Sequence, residues 1–263
     1  MNILEKIVLE KRSEVKERKK LYPTALLEKS LFFDNNNVSI KDYILRDDKF
    51  GIIAEFKRKS PSKGMINEYA DIEKVSIGYM QAGASALSVL TDEKFFGGSS
   101  KDLTTARKFN FCPILRKDFI IDEYQIVEAK SIGADVILLI SAILSTSEVE
   151  RLAKFAKSLG LEILLELHDE SELNHINQHV DLVGINNRNL KDFSVNINKS
   201  IEMAKAIPDD FVKVAESGIS NIDTILRFRE NGFKGFLMGE RFMQASRPEL
   251  ACKNFIAELK KAI

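Results

Sequence analysis

The sequence has no tryptophan, only two cysteines, three histidines and five prolines in 263 residues. Cys112 and Cys252 stand far apart with no metal-type spacing, which excludes a disulfide framework and a cysteine-built metal site and favours a reducing compartment. Neither sign of charge is in excess, with 39 Lys and Arg against 39 Asp and Glu. Overall charge therefore draws the chain neither to nucleic acid nor to an acidic membrane. No apolar run approaches the length of a membrane span. The opening stretch MNILEKIVLEKRSEVKERKK is charged throughout, unlike the apolar core of a signal peptide. These absences predict a soluble, cytoplasmic protein with neither nucleic acid nor a membrane as partner.

What is present is a 44% hydrophobic chain, the fraction of a folded globular protein. From Gly51 onward short apolar runs recur, at 51–56, 86–90, 113–116, 134–140, 161–167, 182–186, 212–215 and 235–239. Runs such as ADVILLI and LEILLEL lack polar alternation, as strands buried on both faces do. Between them lie charged segments of helical period at 71–82, 99–109, 122–132, 145–158, 169–178, 198–206 and 221–231, with a last helix at 248–262. Alternation of this kind belongs to the α/β class. An open doubly wound sheet also alternates, but eight even units favour closure into a (β/α)8 TIM barrel, and no Gly-rich dinucleotide fingerprint follows the first strand. The expected organisation is a single barrel domain over 1–263, with 1–46 as an N-terminal helical extension. In that extension Ile3, Leu4, Ile7, Val8 and Val15 recur at helical spacing over residues 1–20. Pro23 and the run Asp34 to Asn37 mark loops, and 39–46 reads as a second short helix.

Barrel chemistry sits at the carboxyl ends of the strands, and here those ends are polar or glycine-rich. In GIIAEFKRKSPSKG, Glu55 and Lys57 are two apart on a strand and share one face. Such a pair is costly to bury unless its members meet each other or a charged ligand. The third run ends in LRKDF with Lys117, the fifth in Glu166, the sixth in INNRNL, the seventh in AESG and the eighth in MGE. One buried carboxylate alone is usually a structural partner; several ionisable groups converging on one mouth indicate a site. Ser217 and Gly218, with Gly239 before a short helical turn, form an anion-site pattern at the two strands where barrels commonly hold phosphate.

In this order, ILEKIVLEKRSEV, AEFKRKSPSKG, LSVLTDEKFFGGS, PILRKDFIIDEYQI, LLELHDE, VGINNRNL, KVAESGI and FLMGERFM resemble the indole-3-glycerol-phosphate synthase family over nearly the whole chain. The resemblance implies a carbon–carbon lyase of the carboxy-lyase type. Its reaction is ring closure, decarboxylation and dehydration of 1-(2-carboxyphenylamino)-1-deoxyribulose 5-phosphate to indole-3-glycerol phosphate in tryptophan biosynthesis. It implies no metal and no organic cofactor, a phosphorylated small-molecule substrate, and association with other tryptophan-pathway enzymes as a possibility. By motif, the implied catalytic residues are Lys117 as general acid, Glu166 as general base, Lys57, Glu55, Asn186 and Glu216. Ser60, Phe96, Phe119, Arg188, Leu190 and Ser217 are implied substrate contacts, with Phe96 as the aromatic wall. Gly218, Gly239 and Glu240 are implied at the phosphate.

Lys117 as an acid calls for a pKa lowered toward working pH by nearby cations and partial burial. Lys57 is either the second acid, beside Glu166 as base, or the holder of the substrate carboxylate. Two positions depart from the family pattern: Asn189 stands where an acid is common, and Glu240 where some relatives have Ser. His168, His175 and His179 read as structural, because no third ligand or acid motif accompanies them. Cys112 and Cys252 read as core residues. Two other phosphate-binding barrels, phosphoribosylanthranilate isomerase and the tryptophan synthase α subunit, are disfavoured by the paired KRKSPS and LRKDF. A catalytically silent barrel is disfavoured by the presence of Lys57, Lys117 and Glu166 together.

Overall fold

The apolar runs form eight parallel strands closed into one barrel, in chain order around the ring. They are β1 (Ile52–Phe56), β2 (Ala86–Leu90), β3 (Ile114–Lys117), β4 (Val136–Ile140), β5 (Glu162–Leu167), β6 (Leu182–Asn186), β7 (Val212–Glu216) and β8 (Phe233–Met238). The structure is a computed structural model, and it describes residues 2–189 and 194–263. β8 pairs back onto β1 with Phe236 opposite Ile52, which closes the ring. Ile52 through Phe56 are all buried, as are Val136 through Ile140. That double burial is why these strands carry no polar alternation.

The core is split by the sheet. Ile53, Ala86, Leu115, Leu138, Leu164 and Val214 pack inside the barrel. Ile52, Leu87, Ile114, Ile137, Leu139 and Ile163 face outward against the crossover helices. Each fully buried aliphatic side chain contributes about 1.5–3 kcal/mol relative to exposure. Among the described residues no helix is long and apolar enough to cross a membrane.

The crossovers form helices at Ile72–Gln81, Ser100–Phe109, Glu123–Ser131, Thr146–Ser158, Ile197–Ala204 and Ile222–Glu230, and the chain closes with Pro248–Ala262. The helix expected over 169–178 is instead a 3-10 segment, Glu170–His175. Its end is fixed by His175, whose Nδ1 lies 3.0 Å from Glu172 O and whose Nε2 lies 3.0 Å from Leu144 O. With its ring set between two carbonyls, His175 leaves the chain extended at Ile176. The Ser-Pro-Ser-Lys-Gly turn after β1 is held by a tight antiparallel ribbon of Lys59–Ser60 with Gly64–Met65.

The N-terminal extension serves both ends of the barrel. Its first helix, Ile3–Leu21, opens on a capping box in which Asn2 and Glu5 satisfy each other's backbone N–H groups. It buries Ile7, Lys11 and Val15, one residue per turn, and lays Ile3, Leu4 and Ile7 over the mouth. The helix Ile40–Leu45 instead plugs the bottom, with Ile40 and Ile44 buried against the inner layer. Glu162, at the start of β5, accepts hydrogen bonds from Ser39 Oγ and Ile40 N at 2.6 Å each, and Asp135 accepts one from Val38 N at 2.9 Å.

Candidate active site

One cleft of about 190 Å³ opens at the carboxyl ends of the strands. At its centre β3 presents Lys117, whose ammonium is 2.8 Å from Glu166 Oε2 at the end of β5 and 2.8 Å from Glu216 Oε2 at the end of β7. The register of parallel strands brings together three residues separated by 49 and 99 positions in the chain. Asn186, ending β6, donates from Nδ2 to Glu166 Oε1 at 3.1 Å, while its Oδ1 accepts from Arg188 N at 3.0 Å. Just past β1, Lys57 donates to Glu55 Oε1 at 2.6 Å, the pairing expected of two charges two residues apart on an extended chain.

The charges in this cluster are strongly coupled. Burial works to lower the pKa of Lys117, but the carboxylates of Glu166, Glu216 and Glu55 outweigh it and hold the ammonium above its ordinary value. The expected lowering by nearby cations is thus reversed, because carboxylates are the charged groups that face Nζ. Burial favours the protonated form of Glu166, yet Lys117 and then His168 hold its pKa well below the carboxylate range. Glu216 goes the other way: burial pushes it up to about 8, outweighing the attraction of Lys117, and repulsion from Glu166 adds to the rise. Two carboxylates sharing one buried ammonium therefore retain one proton between them, on the Glu216 side.

Two flanks extend from this centre. The rings of Phe96 and Phe119 stand 5.9 Å apart, tilted by 37°, and with Ile3, Leu4 and Ile7 they make one end of the cleft apolar. At the other end Ser217 and Gly218 both take the left-handed conformation, with φ of 66° and 70°, a strained state for serine. Asn187 Nδ2 donates to Ser217 O at 2.7 Å and supports this bend. Gly239 precedes the short helix Glu240–Met243. Arg188 Nη2 and Lys63 Nζ reach Glu240 carboxylate oxygens at 3.4 and 3.7 Å, and Ser60 lines the same end.

Sequence reasoning placed Glu55, Lys57, Ser60, Phe96, Lys117, Phe119, Glu166, Asn186, Arg188, Glu216, Ser217, Gly218, Gly239 and Glu240, and all of them line this cleft. Leu190 falls outside the described residues. His168, read as structural, has its Nε2 3.1 Å from Glu166 Oε1. Burial works against its protonation, but Glu166, Glu172 and Glu216 raise its pKa. The signal was in LELH, since Glu166 and His168 are two apart on a strand and share a face. Gly184 was also passed over: a Cβ there would sit 2.2 Å from Glu216 Oε1, so only glycine leaves that carboxyl its place. Among the described residues no group of three or more His, Cys, Asp or Glu is placed to hold a metal ion.

The sequence profile of indole-3-glycerol phosphate synthase matches residues 4–255. The chain belongs to this family. An indole-3-glycerol phosphate synthase of Bacteroides thetaiotaomicron is 47% identical over 259 residues, covering 98% of this chain and 99% of the relative. One from Campylobacter jejuni is 40% identical over 92% of this chain and 95% of its own length, and one from Prochlorococcus marinus is 44% identical over 92% and 85%. Among solved structures, the tryptophan synthase α subunit of Legionella pneumophila superposes with a TM-score of 0.62 at 14% identity, covering 85% of this chain and 97% of that one. The 3-hexulose-6-phosphate synthase of Salmonella typhimurium gives 0.64 at 12%, covering 81% and 100%. These two likenesses show the barrel fold alone.

Proposed function

We propose that the residues around Lys117 divide among themselves the work of indole-3-glycerol phosphate synthesis. The activity is that of the family, a carboxy-lyase reaction of tryptophan biosynthesis, and its substrate is 1-(2-carboxyphenylamino)-1-deoxyribulose 5-phosphate. The observation that carries the assignment of roles is the single ammonium of Lys117 held between Glu166 and Glu216, with an aromatic wall on one side and an anion-type bend on the other.

In this reading the carboxyphenyl ring lies against Phe96 and Phe119, and the phosphate lies at the backbone of Ser217, Gly218 and Gly239, within reach of Arg188. Lys117 donates its proton to the ketone oxygen as the ring carbon bearing the carboxylate attacks the ketone carbon. The raised pKa of Lys117 makes it a reluctant donor, and the protonated Glu216 beside it offsets this by returning a proton to the amine. Carbon dioxide then leaves and the ring regains aromaticity. In the last step the new hydroxyl departs as water with a proton from Lys57, and Glu166, steadied by Asn186 and His168, removes the ring proton whose electron pair forms the double bond of the indole. Glu55 keeps Lys57 oriented.

A phosphorylated small molecule is thus the partner of the cleft, and association with other enzymes of the pathway and a cytoplasmic location belong to the same proposal. Incubating the protein with the substrate and following indole fluorescence and product mass tests the activity. Lys57→Met and Glu166→Gln, assayed for an intermediate that has closed its ring and lost carbon dioxide but kept its hydroxyl, test the division of roles. Absence of that intermediate in both variants, with turnover retained, would overturn it.

A further inference from the structure

The first helix carries a lysine on its apolar stripe, between Ile7 and Val15, and its side chain is only 1% exposed. Its ammonium lies 3.0 Å from Asp92 Oδ2, 3.0 Å from Asp118 Oδ1 and 2.7 Å from Glu14 Oε2. Each of the two aspartates also fixes the backbone of a segment carrying one ring of the aromatic wall. Asp92 Oδ1 accepts Phe95 N at 2.8 Å and so caps the turn Glu93–Phe96 that carries Phe96. Asp118 stands between Lys117 and Phe119, and its Oδ1 accepts Phe119 N at 2.8 Å. Asp118 Oδ2 is separately held by Thr91 Oγ1 and by Arg116, which is paired in turn with Glu128. A lysine ammonium has three donors, and here three carboxylates surround it.

We infer that Lys11 is a positioning residue for the aromatic end of the site: through Asp92 and Asp118 it sets the spacing of Phe96 and Phe119. The inference rests on the reading of that end as the seat of the carboxyphenyl ring. Two carboxylates buried near one another move apart when the cation between them is removed. Because each is hydrogen-bonded to the backbone beside a ring, their separation carries the rings with it. Among the described residues the phosphate end, built on β7 and β8, shares no hydrogen bond with this cluster, so it stays as it is.

Two variants are compared with the wild type: Lys11→Met, which keeps the length of the stem, and Lys11→Met with Asp92→Asn, which removes one orphaned charge and protects folding. Their crystal structures give the ring spacing directly, and calorimetry gives affinities for two probes, anthranilate and inorganic phosphate. We expect the Phe96–Phe119 centroid distance to depart from 5.9 Å by about 1 Å, a misplacement that costs on the order of 100-fold in kcat/KM. Anthranilate affinity falls by about tenfold and phosphate affinity stays within about twofold, as expected when one end of a site moves and the other does not. Rings that keep their spacing in both variants overturn the inference, as does a parallel loss of both ligands, which a merely stabilising lysine would produce. If the wild type fails to turn over the substrate, the functional reading falls on its own, while the ring spacing still decides the role of Lys11.

Discussion

Replacing Lys117 by methionine removes the one cation between two buried carboxylates, and the consequence can be worked from the geometry. Glu166 Oε2 and Glu216 Oε2 each lie 2.8 Å from the ammonium, so they are at most 5.6 Å apart (2.8 + 2.8). Because Glu216 keeps its proton up to about pH 8, what raises Glu166 in the variant is first its burial, no longer offset by the ammonium. Once Glu216 also ionises, two unit charges at that distance repel by about 3 kcal/mol at an effective dielectric of about 20, or roughly two pKa units. Glu166, now held well below its ordinary value by the ammonium, then moves above it. In the wild type Glu166 is ionised both folded and unfolded through the neutral range and adds no slope there. In the variant the folded state binds an extra proton that the unfolded state releases, so its stability falls as pH rises. The stability gap between wild type and Lys117→Met therefore widens by about 1.4 kcal/mol per pH unit above the ordinary glutamate pKa. Urea unfolding at several pH values between about 5 and 8 measures it, alongside kcat, which falls by about 10²–10⁴-fold on loss of a positioned acid. Stability curves that run parallel, or a variant that keeps more than half of the wild-type kcat, would refute the reasoning.

In the wild type the proton kept between these two carboxylates sits on Glu216, whose pKa rises from 4.5 to about 8. Stability should accordingly decline as pH climbs through that window, and Glu216→Gln should flatten the decline in the same urea titration. Gly184→Ala places a Cβ 2.2 Å from Glu216 Oε1; steady-state kinetics should show kcat lowered with KM little changed. Gly239→Ala brings a Cβ within 2.5 Å of Glu55 Oε1, so the same kinetics should show a fall in kcat as Lys57 loses its partner, besides a rise in KM for the phosphorylated substrate. Inorganic phosphate should compete with that substrate in initial-rate assays, and non-competitive inhibition would place the anion elsewhere. Deleting residues 2–22 should raise KM while the barrel stays folded by circular dichroism. Deleting through residue 46 should cost more stability, because it also removes Ile40 and Ile44 from the barrel bottom.

The barrel was legible because strands buried on both faces leave unbroken apolar runs, and eight of them recur with segments of helical period between them. The 3-10 segment at Glu170–His175 was not legible, since the contact of the His175 ring with Leu144 O, 31 residues away, is a tertiary effect. The charged residues that line the cleft were legible from their place at the strand ends. Their protonation was not: the fate of Lys117 depends on which charges face it across the barrel, and the chain order does not say that Glu166 and Glu216 both do. The two-ended extension was half visible. Helical period showed that residues 1–20 need an apolar partner, but the position of Ile40–Leu45 under the barrel is set by Glu162 and Asp135, far along the chain. Lys11 hid in plain view, a lysine spaced with Ile7 and Val15 that reads as a break in the stripe until its three carboxylates are seen.

The most direct measurement is a single-turnover reaction of wild-type protein with 1-(2-carboxyphenylamino)-1-deoxyribulose 5-phosphate, with the products separated and weighed. One equivalent each of indole-3-glycerol phosphate and carbon dioxide is expected from the wild type, with Lys117→Met releasing carbon dioxide on the order of 10²–10⁴-fold more slowly. Carbon dioxide released equally fast by Lys117→Met, or no indole product from the wild type, would contradict a site centred on Lys117.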